Sequence, residues 1–172
     1  HMANLHDATV AGRNRGFETL GAFGILEPIP LEDFGPRKVR ALTYFTNWRV
    51  LENCMLMCYF CSWDFIQETE IVKAVTGWNT TTWELMKIGE RVTTMARIFN
   101  VREGFTKQDD WLPERFFHPH TSGALSTTSV NPAELENARD IYYGMMGWTE
   151  EGVPTKAKLA ELDIDWLAQM LS

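Results

Sequence analysis

Between Arg37 and Thr76 the chain runs without a glycine or a proline. Nothing in that run alternates apolar with polar side chains as a half-buried strand would. Val39, Leu42, Tyr44, Phe45, Trp48, Val50 and Leu51 fall instead mostly at three- and four-residue steps, the spacing of one helix face. Pro36 suits the first position of such a helix, where its missing N–H costs nothing. The spacing predicts one long helix from Pro36 to about Cys61. Its second half, Met55 to Phe65, is apolar nearly all round, which places it centrally or against another domain. A second helix is expected over Ile66–Val75, stopped by Gly77.

The rest of the chain reads the same way. Thr81-Thr82-Trp83-Glu84 has the spacing of a capping box, two end groups of a helix satisfied reciprocally. Leu85, Ile88, Val92, Met95 and Phe99 then make one apolar face, with Arg91 and Arg97 off it. Asn100 and Gly104 end that helix. Asn131-Pro132-Ala133-Glu134 opens another, which runs to about Met146 and stops at Gly147. Pro154 or Thr155 starts a last amphipathic stretch with Leu159, Leu162, Trp166, Leu167 and Leu171. Residues 3–35 are dense in glycine and proline and read as loop with short helical turns. Residues 105–130 lack periodicity, and a loop of that length is usually functional or packed on another domain. The expected fold class is all-α: an irregular multi-helix domain over residues 3–172, with a Gly/Pro-rich N-terminal segment and a long loop near 105–130. His1-Met2 reads as the remnant of a cleaved tag.

Composition excludes several functions. With 172 residues, 45% of them hydrophobic, the chain can bury a real core. Seven Trp and ten Phe make that core, or an interface, aromatic-rich. A net charge of −7 without a basic run argues against nucleic acid. No apolar run reaches the roughly 18 residues of a membrane span, and no signal peptide is visible. Three cysteines, all between 54 and 61, are an odd count in one tight cluster. That favours a reducing compartment over a disulfide framework, and a cytoplasmic protein is expected.

Cys54, Cys58 and Cys61 stand as C-x3-C-x2-C, and three readings of them are open. The spacing matches the cluster-binding signature of radical-SAM enzymes, but that signature follows the first strand of an α/β barrel. On a helix, offsets of 0, 4 and 7 put the three thiols on one face, as buried cysteines acting as small hydrophobes would also be. In the third reading one of them is a metal-cluster ligand. Other candidates are weaker. His118-Pro119-His120 offers two imidazoles, too few for a zinc site. Asp109-Asp110 is expected to cap a turn before Leu112-Pro113. Arg91, Arg97 and Arg102 are expected to make exposed pairs with Glu90, Glu103 or Asp110.

Two blocks of sequence carry a resemblance. The first runs Glu84-Leu85-Met86-Lys87-Ile88-Gly89-Glu90-Arg91, then Arg97-Ile98-Phe99-Asn100-Val101-Arg102-Glu103-Gly104, then Asp109-Asp110-Trp111-Leu112-Pro113-Glu114-Arg115. The second runs Tyr142-Tyr143-Gly144-Met145-Met146-Gly147-Trp148-Thr149-Glu150-Glu151-Gly152-Val153-Pro154-Thr155, then Lys158-Leu159-Ala160-Glu161-Leu162. In order and spacing these resemble the C-terminal domain of the aldehyde ferredoxin oxidoreductase family, enzymes with a tungsten or molybdenum bis-pterin. The resemblance implies an oxidoreductase that turns aldehydes, or a related two-electron substrate, into acids, passing electrons through a [4Fe–4S] cluster to ferredoxin or another carrier. The N-terminal domains of the same enzyme would be this chain's partners, and alone it would be inactive and without cofactors.

The family holds a pattern Asp-x-x-Gly-Leu-Cys, followed after one residue by Phe. Laid on this sequence, the Cys falls on Cys58 and the Phe on Phe60. The resemblance therefore implies Cys58 as the last [4Fe–4S] ligand. Asn53 and Met57 stand where the family's Asp and Leu line the pterin, and Leu56 stands at the Gly position. These departures suggest a divergent subfamily, and the benzoyl-CoA reductase branch is an alternative. His6, followed by Asp7, is the candidate for a catalytic-site histidine, against a solvated N-terminal His. The competing class is a non-catalytic helical interaction domain docked through its Cys/Met/aromatic helix. An apolar face over residues 43–65, once uncovered, would make the chain self-associate.

Overall fold

A computed structural model describes residues 21–171 except 28, 31, 59, 60, 62, 124 and 125. Its α-helices are α1 (Pro36–Cys54), α2 (Phe65–Thr76), α3 (Thr82–Arg102), α4 (Pro132–Met145) and α5 (Lys156–Glu161). Short 3-10 helices cover Gly21–Phe23, Glu114–Phe117 and Asp165–Leu171. No strand forms among the described residues; one isolated bridge joins Trp148 to Pro154. The fold is all-α, as the spacing of apolar residues indicates.

The ends of the helices follow local chemistry. Asp64 caps α2 with a complete capping box, accepting from the N–H groups of Ile66 and Gln67 while Gln67 answers to the Asp64 N–H. At the other end of α2, Gly77 takes a left-handed conformation. Thr81, Asn131 and Thr155 cap α3, α4 and α5 by the same side-chain logic.

Helix α3 is the axis of the molecule, crossing α1 and carrying the 3-10 helix Asp165–Leu171 on its far half. The crossing is tight because position 89 is glycine: a Cβ there would sit 1.9 Å from the Asn47 carbonyl oxygen. Asn47, buried at the crossing, accepts from Thr93 Oγ1 at 3.1 Å and reaches Met146 Sδ at the C-terminal cap of α4. One core lies between α1, α2 and the N-terminal half of α3, where Trp48 meets Phe65 at 4.6 Å and Phe23 packs on both rings. A second gathers Ile98, Leu159, Leu162, Ile164 and Leu167, and a third Tyr143, Met146 and Trp148. Each fully buried large side chain contributes about 1.5–3 kcal/mol by leaving water.

Three sequence expectations need correcting. Helix α1 ends at Cys54, not near Cys61, so the described residues between 55 and 64 are loop rather than a centrally buried helix. The buried face of α3 is Leu85, Met86, Gly89, Glu90, Thr94, Arg97 and Ile98, while Met95 and Phe99 are exposed. The crossing at Gly89 turns that face inward; Glu90 pairs with Lys87 and Lys158 and Arg97 with Asp110, whereas Thr94 Oγ1 is buried without a hydrogen-bond partner among the described residues. The last amphipathic stretch is broken at Asp163, which has φ 54, and Trp166 points outward.

Candidate functional site

The loop that follows α1 begins with a Schellman turn. The Met57 N–H bonds the Glu52 carbonyl at 3.0 Å and the Leu56 N–H bonds the Asn53 carbonyl at 3.2 Å. That pattern needs a left-handed residue between them, and Leu56 supplies it with φ 56. Leucine is a costly choice there, and its side chain is 92% exposed. The family pattern has glycine at this position, which is the residue the turn prefers. Backbone conformation, rather than close access to a cofactor, is therefore a sufficient reason for that glycine.

The turn throws the cysteines outward. Cys54 closes α1, Cys58 and Cys61 lie on the loop, and all three are exposed free thiols. The Cys61 N–H bonds the Cys58 carbonyl at 3.0 Å. The reading of three thiols on one helix face fails because the helix has ended, and the reading as core cysteines fails because none is buried. The radical-SAM reading lacks its barrel, since no strand forms among the described residues. Among the described residues no group of three or more His, Cys, Asp or Glu side chains is arranged to hold a metal ion. Asn53 is exposed and Met57 half-buried, on the same turn as Cys58. His6 lies outside the described residues.

At the mouth of this loop sit two acids that sequence reasoning passed over. Glu52, in the last turns of α1, is 9% exposed, and Glu68, in the first turn of α2, is 3% exposed. Arg49 ion-pairs with Glu52, and Trp48 Nε1–H donates to Glu68. Burial pushes Glu68 up to about 7 against the Trp48 bond, with the Glu52 charge adding to the rise. Burial likewise raises Glu52, which Arg49 partly offsets. No spacing signal could have found them: the acid beside the buried indole is Glu68, twenty residues from Trp48.

A second cluster surrounds Arg97, which is 7% exposed rather than on the surface. Its guanidinium pairs with Asp110 at 2.7 Å, donates from Nε to the Gly152 carbonyl at 2.7 Å and lies over the Tyr143 and Trp148 rings. Tyr143 donates its hydroxyl to Asp110. Burial, reinforced by the Asp110 bond, holds that phenol protonated well above its usual range. The residues of both resemblance blocks meet here, and they do so to fix the long loop and the 147–154 turn to α3. Of the other expectations, Asp109 accepts from the Thr106 N–H at 2.7 Å and caps a turn, and this holds its carboxyl low. Arg102 pairs with Glu103 on the surface, whereas Arg91 donates to the Leu162 carbonyl. His118 pairs with Glu114, both exposed.

Known proteins resemble this arrangement. The family model described as aldehyde ferredoxin oxidoreductase, domains 2 and 3, matches residues 6–164. The tungsten-containing aldehyde ferredoxin oxidoreductase of Pyrococcus furiosus is 32% identical over 136 residues, covering 77% of this chain and 22% of that protein. The WOR-like subunit of aliphatic sulfonate oxidoreductase, from the same organism, is 31% identical over 101 residues, 55% of this chain and 16% of its own length. In three dimensions the chain is similar to a solved BamBC active-site complex of benzoyl-coenzyme A reductase with 1,5-dienoyl-CoA. The TM-score is 0.64 at 20% identity, over 77% of this chain and 20% of that one. The chain thus spans about a fifth of the length of the relatives it matches. On the extent of the family match, it belongs to the aldehyde ferredoxin oxidoreductase family, in the region of domains 2 and 3.

Proposed function

We propose that this chain is the C-terminal portion of a tungsten- or molybdenum-pterin oxidoreductase and supplies one corner of its iron–sulfur cluster. The carrying observation is Cys58: an exposed thiol on a loop held by a Schellman turn, in a chain of this family. A [4Fe–4S] cluster takes four thiolates. Cys58 fits one of them, because its exposure lets polypeptide outside this sequence supply the other three. When bound, the pterin-held metal would supply the two-electron chemistry and the cluster the route for single electrons.

This chain's own part is to bind and orient. Asn53 offers an amide that both donates and accepts, suited to the polar edge of a pterin but uncharged where the family has aspartate. Met57, half-buried, would give the ring an apolar wall, and Leu56 would narrow the approach beside it. The substrate is an aldehyde or a related oxo compound. The changes at positions 53, 56 and 57 favour one other than a simple aldehyde, and the relatives acting on sulfonates and on benzoyl-coenzyme A mark directions in which that divergence can run. Ferredoxin or a similar iron–sulfur protein would accept the electrons.

The test is Cys58→Ala in the full-length protein. Loss of the reduced-cluster signal together with loss of substrate-dependent dye reduction supports the proposal. Retention of both supports instead a non-catalytic helical interaction domain.

A further inference from the structure

Helix α5 is six residues long, too short to hold its shape by its own hydrogen bonds. Leu159 and the cap residue Leu162 join it to the core around Ile98. Charge joins it to α3 as well. Lys87 and Glu90 lie three residues apart on α3, and Lys158 and Glu161 three apart on α5, so each helix sets one cation beside one anion. Glu90 takes a different ammonium on each oxygen: Lys87 Nζ on Oε2 and Lys158 Nζ on Oε1, both at 2.7 Å. Glu161 does the same from α5, with Lys87 on Oε1 and Lys158 on Oε2. The pairs close a ring of alternating sign and no net charge, and Lys87–Glu161 and Lys158–Glu90 cross between the helices. One half of the ring is buried: the Glu90 side chain is 9% exposed and Lys158 11%, against 44% for Glu161. A charge so placed is costly unless it is paired. Packing also fixes both lysines. Lys158 runs past Gly147, where a Cβ would meet its Cε at 2.5 Å, and Lys87 Nζ lies 5.4 Å from the centre of the Trp83 ring. The pairs therefore do not bear alone the entropy of ordering long side chains, the cost that makes surface pairs weak. Burial acts to discharge Lys87 and Glu161, and the bonds within the ring outweigh it: the Lys87 ammonium is held above its ordinary range and the Glu161 carboxyl below its own.

We propose that Lys87, Glu90, Lys158 and Glu161 act as one latch: a closed ring of charge that shuts α5 on α3, so that the segment 156–171 opens as a unit when the buried half of the ring is broken. With Glu90 removed, two ammonium groups share one carboxylate. With Lys158 removed, two carboxylates share one ammonium. With both removed, Lys87 and Glu161 remain as a neutral pair at the rim. Each single loss leaves an uncompensated charge and the double loss does not, so their effects cannot add. The rest of the segment follows α5, because Ile164 and Leu167 pack with Leu159 and Leu162 and the Ile164 N–H bonds the Leu159 carbonyl at 2.9 Å. The latch is a property of this chain and does not rest on the function proposed above.

The experiment measures amide hydrogen exchange on the 172-residue chain. It compares Leu159, Leu162 and Ile164 with Thr94 and Ile98 of α3, in wild type, Glu90→Met, Lys158→Met and the double variant. Each single variant should lose about thirtyfold protection or more at the first three amides, while Thr94 and Ile98 stay within about threefold of wild type. The double variant should return to within about tenfold of wild type, far from the roughly thousandfold that two independent losses would multiply to. Losses that multiply, single variants as protected as wild type, or equal loss in α5 and α3 would overturn the proposal. If a variant of the buried half does not fold, the same cycle on the rim pair decides, with Lys87→Met, Glu161→Met and both. Single losses of about threefold and a double no worse than the larger single uphold the latch; losses that multiply overturn it. Cluster loading enters none of these readouts, so failure here leaves the role of Cys58 standing, and loss of that role leaves the latch standing.

Discussion

Replacing Leu56 with glycine should stabilise this chain. Leu56 holds φ 56, a conformation in which a Cβ crowds the backbone, and L-residues pay about 1–2 kcal/mol for it. Its side chain is 92% exposed, so removing it forfeits almost no buried surface. Against this, glycine loses more backbone freedom on folding, about 0.5–1 kcal/mol. The balance is a gain of roughly 0.5–1 kcal/mol, or about 1–4 °C in melting temperature for a chain of this size. The assay is urea unfolding followed by far-ultraviolet circular dichroism, with Leu56→Ala as the control. Alanine keeps the Cβ and the strain, so that variant should match the wild type within about 0.5 kcal/mol. A Leu56→Gly protein less stable than wild type, or an alanine variant stabilised equally, would refute the argument from backbone strain.

Other outcomes follow from the same geometry. Gly89→Ala places a methyl 1.9 Å from the Asn47 carbonyl oxygen and must push α1 from α3. The helix-propensity gain of about 1 kcal/mol is outweighed, and a net loss of about 1–3 kcal/mol should appear in urea unfolding. Arg97→Met leaves Asp110 and the Gly152 carbonyl without their buried partner, and a loss of about 3–5 kcal/mol is expected in the same assay. Glu68 is raised from 4.5 to about 7, so folding favours its protonated form. Its stabilising contribution is full below pH 4.5, drains away as pH rises toward 7 and is gone above it. The total is at most about 3 kcal/mol, and Glu68→Gln should flatten that part of the stability–pH curve.

Which elements were legible in the sequence depended on where their stop signals lay. Helices α2, α3 and α4 begin at Asp64, Thr81 and Asn131, whose side chains announce a cap, and α2 and α4 stop at or just before glycines. Helix α1 stops at a leucine forced into a left-handed turn, a role no apolar residue advertises, so the periodicity of Val39 to Leu51 seemed to continue through Cys61. The glycine that the family pattern places at that position was the available clue. The face of α3 was misjudged for another reason. Arg97 and Glu90 read as surface charges, yet Arg97 reaches Asp110 and Glu90 reaches Lys87 and Lys158 at 2.7 Å, so both lie inward while Met95 and Phe99 do not. Cys58, Asn53 and Met57 were proposed through resemblance, because one thiol and two neighbours carry no spacing of their own. Glu68 was missed because the bond it accepts from Trp48 crosses a loop that was read as helix.

The central claim is that one thiol among three is a ligand. Full-length protein carrying Cys54→Ser, Cys58→Ser or Cys61→Ser singly, each assayed for iron and for the electron paramagnetic resonance of the reduced cluster, measures it directly. The account predicts that only Cys58→Ser loses the [4Fe–4S] signal, with the other two at wild-type iron content. An intact cluster in Cys58→Ser would contradict it.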